Sequence, residues 1–231
     1  MNHRFATALA AAGAWLLEPA EPSRAPVLHV PAPPRPVVAV FGLARGCGAT
    51  MVARALAAEL ASRDAHGAAA VHCAASAAGI PLATQAASRL ARRLAEVHGA
   101  ETRAVGRLCL VGAAQPSELA DTARHFAPLV LDAGTTSLGG VPAALADRVV
   151  VVIGSATEPA LADVAADCLA RLGHEPIVVR NRTRDAAVSA GVAHALPESR
   201  MGAQLALGGR EPRGELGRAI AVLADRCGGG R

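Results

Sequence analysis

The sequence predicts an α/β fold, a mostly parallel, doubly wound sheet with helices on both faces. Three observations predict it. Short runs of β-branched and apolar residues alternate along the chain with helical periodicities, the pattern of parallel strands joined by crossover helices. One run, Val37–Phe41, is apolar without a break, as a strand buried on both faces must be. It leads into Gly42, Gly46 and Gly48 and then into a helical pattern. A glycine loop ahead of a helix turns backbone N–H groups and the positive end of the helix dipole toward an anion.

The elements follow in order. In residues 1–36, Phe5, Leu9, Ala12, Leu16 and Leu17 share one face of a short helix, and Pro19–Pro36 is proline-rich without periodicity, the composition of a semi-rigid linker. Residues 1–17, with Arg4 ahead of an apolar middle, imitate a secretory signal. The phosphate-binding loop behind them argues for a cytoplasmic protein. A helix docking on a partner or on the inner membrane surface is then the expectation for this segment. Residues 37–231 read as one domain.

Within that domain, Val52, Leu56 and Leu60 mark the inner face of the first helix, ending near Ala61. Ala68–Cys73 is a weak second strand, and Pro81–Val97 an amphipathic helix with Arg89, Arg92 and Arg93 outward. Arg107–Val111 is a third strand, Pro116–His125 a helix opened by its proline, and Leu129–Leu131 a strand ending in Asp132-Ala-Gly-Thr. Arg148–Ile153 is another strand, and Pro159–Leu172 a helix stopped by Gly173. Ile177–Arg180 is a strand ending at Asn181, and Gly191–Leu196 the last strand. Residues 199–207 and 214–226 close the domain as helices. Ligands of such sheets bind beyond the carboxyl ends of the strands, where the glycine loop, Asp132 and Asn181 all fall.

Composition narrows the chemistry. The chain has 231 residues, a formal net charge of +4 and no tyrosine, and all of its 23 basic residues are arginine. No reaction that needs a lysine amine or a phenol is open to it. Cys47, Cys73, Cys109, Cys168 and Cys227 are odd in number and never spaced as CxxC, which points to a reducing compartment and away from a zinc cage. No apolar run reaches the ~18 residues that suggest a membrane-crossing helix. Arg180, Arg182 and Arg184 alternate, but a modest net charge makes them a solvated edge rather than a nucleic-acid surface. His72 and Cys73 read as filler, because no third ligand stands near them.

Taken together, these motifs resemble the ParA/MinD family of P-loop ATPases over residues 37–227. Val37–Ala61 looks like the family's first strand, Walker A loop and helix. LVLDAGT (129–135) looks like its Walker B strand, and ADRVVVVI (146–153) like the strand that follows. VVRNR (178–182) is similar to the strand whose asparagine contacts adenine, and the region of Gly208 and Gly214 to the C-terminal part. The resemblance implies that ATP or ADP binds at Gly46, Cys47, Gly48, Ala49, Thr50 and Met51, with Asn181 at the base. Thr50 and Asp132 would hold Mg²⁺, and two subunits would pair as a homodimer.

The departures are equally specific. The P-loop lysine is replaced by Ala49, although the hydroxyl of Thr50 survives. The family's second, signature lysine would stand near Ala44, with Arg45 one place off. Carboxylates expected at the end of the second strand are missing, since none occurs between Asp64 and Glu96. Phosphoryl transfer depends on positioning and charge neutralisation, and losing one such group costs about 2.7–4 kcal/mol of barrier. The expectation is a nucleotide-binding protein with negligible hydrolysis, no catalytic residue and a role in assembly or localisation. An active ATPase using Arg45 as surrogate cation is the alternative. The loop FGLARGCGAT is similar to those of CpaE/TadZ proteins of tight-adherence pilus systems, which implies pilus or secretion machinery as partner. Gly42-x₃-Gly46-x-Gly48 also matches a dinucleotide loop, so a silent NAD(P)-binding Rossmann protein is a further alternative.

Overall fold

The computed structural model describes residues 35–73, 102–112, 120, 127–135, 137–155, 157–183 and 194–228. The segment 1–34, the helix expected at 81–97, all but Ala120 of the helix expected at 116–125, and Arg184 lie outside the described residues.

Eight strands form one sheet: β1 (Val37–Gly42), β2 (Ala68–His72), β3 (Thr102–Val105), β4 (Leu108–Val111), β5 (Leu129–Gly134), β6 (Arg148–Ile153), β7 (Ile177–Thr183) and β8 (His194–Pro197). Their order is β3-β4-β2-β5-β1-β6-β7-β8. Every pairing is parallel except β3 with β4. Five helices are described: α1 (Ala49–Arg63), α2 (Val141–Leu145), α3 (Pro159–Arg171), α4 (Arg200–Leu207) and α5 (Gly214–Cys227). The doubly wound expectation holds.

β1 sits at the centre of the sheet, and Val37 to Phe41 are fully buried. Strand alternation divides it between two cores. Val38 and Val40 pack with α1, α4 and α5 on one face, while Val37, Ala39 and Phe41 pack with α2 and α3 on the other. A strand in that position must be apolar at every residue, and VVAVF is. Its start is pinned by Asp147, whose Oδ2 accepts from Val37 N at 2.8 Å and whose own N–H donates to Val37 O at 2.8 Å.

α1 departs from the one-sided helix expected of it. Ten of its fifteen residues are buried, including Ala53, Ala55, Ala57 and Ala58 as well as the Val52–Leu56–Leu60 stripe. The reason is that α4 and α5 cover the flank that the periodicity left to solvent. The third strand is also more than expected. Instead of one strand at 107–111, β3 and β4 make an antiparallel hairpin, turning through Gly106 at φ 58°. Gly-Arg between two four-residue strands suits a two-residue hairpin turn. The last strand is described over His194–Pro197, and residues 191–193 of the expected Gly191–Leu196 lie outside the described residues. The short α2, opened by Pro142, was not foreseen.

Candidate functional site

Beyond the carboxyl ends of β1, β2, β5 and β7 the described residues surround a cavity of about 720 Å³, within the ~300–1,000 Å³ usual for small-ligand sites. Its floor is the loop between β1 and α1. Gly46 (φ 75°) and Gly48 (φ 95°) take left-handed backbone conformations that side chains resist. Gly48 is the residue before the first turn of α1, which has neither a side-chain cap nor an acid. The first N–H of the ladder is Val52 donating to Gly48 O at 3.0 Å. The N–H groups of Ala49, Thr50 and Met51 therefore stand without helical partners, and all three residues line the cavity.

The loop is held from the far side by Asn181 at the end of β7. Its Nδ2 donates to Cys47 O at 2.8 Å, and its Oδ1 accepts from Arg182 N at 3.0 Å. Asn181 is 1% exposed. A Cβ at Gly48 would collide with that amide, and one at Gly42 would meet Cys47 Sγ at 2.6 Å. Glycine is thus required at 48 twice over, by its φ and by its neighbour. The sequence foresaw Asn181 as a base contact. In the structure its amide is engaged with the loop while the residue lines the cavity.

The cations nearest the cavity are arginines. Arg45 on the loop, Arg182 at the end of β7 and Arg200 at the start of α4 all line it and are exposed. Arg182 is the one described non-glycine residue with positive φ, at 60°. It lies where the β7–β8 register shifts between Asn181 and Thr183, a strained placement that recurs at functional sites. Ala49, the first residue of α1, is 6% exposed.

On the opposite side, His72 and Asp132 sit directly across β2 and β5 in register. His72 Nδ1 donates to Asp132 Oδ2 at 2.9 Å, and Gly134 N donates to Asp132 Oδ1 at 3.2 Å. Asp132 is 3% exposed and does not line the cavity, whereas His72 does. His72 is therefore not filler, the reading its isolation in the sequence suggested. What sequence reasoning missed is the pairing, because its partners come from different strands. Cys73 adds no ligand: burial, then the charge of Asp132, push its thiol up to about 12. Among the described residues no three His, Cys, Asp or Glu side chains gather as a metal site.

The expected magnesium pair fares accordingly. Mg²⁺ demands near-octahedral oxygen coordination, with one or two carboxylates beside phosphate oxygens and water. Thr50 lines the cavity, whereas each oxygen of Asp132 accepts one hydrogen bond, from His72 and from Gly134 N, and the cavity is lined by His72 rather than by Asp132. Of the expected pair, Thr50 brings a hydroxyl to the cavity lining and Asp132 does not line it. The phosphate cradle, by contrast, fits an anion.

The dinucleotide alternative is overturned by topology. In that fold the loop-bearing first strand lies beside the second, in the order 3-2-1-4-5-6. Here β5 is inserted between β1 and β2, which brings Asp132 next to the glycine loop instead.

Comparison with solved structures places the architecture. A ParA family ATPase from Chlorobium tepidum superposes with a TM-score of 0.60 at 15% identity, over 82% of this chain and 98% of that one. A chain of the MinC:MinD cell division protein complex of Aquifex aeolicus gives 0.61 at 16%, over 85% and 96%. The Pyrococcus horikoshii septum site-determining protein MinD, complexed with Mg-ADP, gives 0.59 at 15%, over 83% and 95%. At these identities the likeness is one of fold, and the fold is that of the ParA/MinD P-loop ATPases. No family model matches the sequence, and no curated protein matches it.

Proposed function

We propose that this chain is a nucleotide-binding protein of ParA/MinD architecture that binds ADP or ATP through its glycine loop and hydrolyses ATP negligibly. The observation that carries this is the combination at residues 46–51: a complete backbone cradle with Ala49 in the lysine position. Backbone N–H groups bind phosphate without any side chain. Hydrolysis additionally needs charge to build up against a positioned cation, and here the cations are exposed arginines. The solved MinD with Mg-ADP supports a nucleotide as the ligand of such a loop.

A nucleotide-binding fold without turnover acts through what it holds. Its work is assembly or localisation, and the likeness of FGLARGCGAT to CpaE/TadZ loops makes a tight-adherence pilus or related secretion machine the partner. Residues 1–17 are then the contact with that machine or with the inner face of the membrane. No described helix is long and apolar enough to cross one.

The test separates binding from chemistry. Isothermal titration with ADP and ATP on the purified full chain should show binding, while steady-state phosphate release stays at the level of a protein-free control. Turnover at ordinary family rates, abolished by Arg45→Ala, would establish the arginine-assisted ATPase instead. Genes for pilus or secretion components beside this one would support the assigned partner.

A further inference from the structure

His72 ends β2, where the family resemblance implies a carboxylate. We propose that the cavity takes the phosphates of a nucleotide without a divalent cation, His72 having closed the acid that would hold one. This rests on the nucleotide-binding reading above and adds what that reading leaves open, the form in which nucleotide is bound.

Three observations converge on it. First, the imidazole is interposed: His72 lines the cavity, Asp132 does not, and the two are joined at 2.9 Å. Second, Asp132 is already answered. Its side chain is 4% exposed and accepts from His72 and from Gly134 N. Arg54, half-buried on α1 and anchored by donating to Leu207 O at 2.7 Å, lies close enough for its charge to attract that carboxylate. A buried charge needs partners, and these supply them without a metal. Third, the oxygen donors of the described lining are mainly hydroxyls, those of Thr50, Thr135 and Ser199, and not carboxylates. Among the described residues lining the cavity Glu198 is the one carboxylate, and it belongs to the turn between β8 and α4, not to β2 or β5. For Mg²⁺ to reach Asp132, His72 must turn away and give up its hydrogen bond. The charge of the phosphates is left to the N-terminus of α1 and to the arginines at the mouth.

Titration of the native chain with ADP in EDTA and again in millimolar Mg²⁺ tests this directly, with free Mn²⁺ followed by electron paramagnetic resonance as a second readout. The expected result is one affinity in both conditions, and no Mn²⁺ taken up with the nucleotide. His72→Ala opens the carboxylate, so that variant should gain a dependence on Mg²⁺ of about 10–100-fold, the scale on which neighbours of a metal ligand act, and should retain Mn²⁺. His72→Gln keeps a donor for Asp132 and should stay independent of metal, which guards against His72→Ala failing to fold. Tightening of native binding by Mg²⁺ of about tenfold or more, or Mn²⁺ held stoichiometrically with ADP, overturns the proposal while leaving nucleotide binding intact. Equal metal independence of a folded His72→Ala protein overturns the role given to His72. Absence of ADP binding in every condition overturns the nucleotide reading itself, and this inference with it.

Discussion

Asn181 and Arg182 are neighbours at the end of β7, yet substituting them should have opposite consequences. Asn181 is buried and gives Nδ2 to Cys47 O. Asn181→Ala leaves that carbonyl without its partner, and a buried polar group left unpaired costs about 1–3 kcal/mol. Stability should fall by that amount in urea titrations, and nucleotide affinity with it, because the loop loses its tether. Arg182 is exposed and holds φ at 60°. Left-handed backbone costs a side-chain-bearing residue about 1–2 kcal/mol, so Arg182→Gly relieves strain while giving back ~0.5–1 kcal/mol through the freer unfolded chain. Its melting midpoint should not drop, but its affinity for ADP should, since a cation leaves the cavity rim. A parallel loss of stability and binding in both variants would mean that Arg182 is structural. Paired measurement of melting and ADP titration on the two proteins decides it.

At the scale of elements, α1 and β8 carry the clearest expectations. Leu56 is fully buried in the middle of α1, so Leu56→Ala should cost about 2–5 kcal/mol. Val164 on α3 is 65% exposed, and Val164→Ala should stay within about 0.5 kcal/mol. His194 opens β8 and donates from Nε2 to Ala219 O on α5 at 2.7 Å. Burial, opposed by that hydrogen bond and aided by Arg226, holds its pKa below the ordinary value of 6.5. The unfolded chain therefore takes up the proton first as pH falls. The contribution of His194 is complete above ~6.5 and is lost as pH drops toward its folded pKa, so denaturant midpoints should decline on acidification and His194→Gln should flatten that decline. These elements also show what was legible. Strands such as β1, β5 and β6 were readable because burial on both faces forces an unbroken apolar run. The burial of α1 all round was not, since alanine is at home inside or outside and leaves no stripe. β3 was missed because TRAV is half-buried on every residue. In the site, the glycines were legible because a backbone conformation demands them. The His72–Asp132 pair joins residues 60 apart in sequence, and nothing local in either strand announces the other.

For the molecule as a whole, the question is whether nucleotide controls assembly. The resemblance implies a homodimer with nucleotide held between subunits, tied across the interface by a signature lysine. Here that place is near Ala44, which lines the cavity and is exposed, and no lysine exists anywhere in the chain. A methyl group offers a facing phosphate no charge, and Arg45, one residue on, has a planar guanidinium that does not substitute for a compact ammonium. Bound nucleotide can therefore stabilise the protomer without joining it to another. Ligand at about 100 times its Kd adds ~2.7 kcal/mol, and for a domain of this size each kcal/mol moves Tm by about 2–4 °C. A rise of roughly 5–10 °C with saturating ADP is expected, while the mass from light scattering is the same with and without ATP, whether one copy or two. Melting and mass are measured on one sample, so the two effects are read apart. A shift from monomer to dimer on adding ATP would mean that a residue other than lysine reaches across, and Arg45→Ala and Arg182→Ala would show which arginine makes that contact.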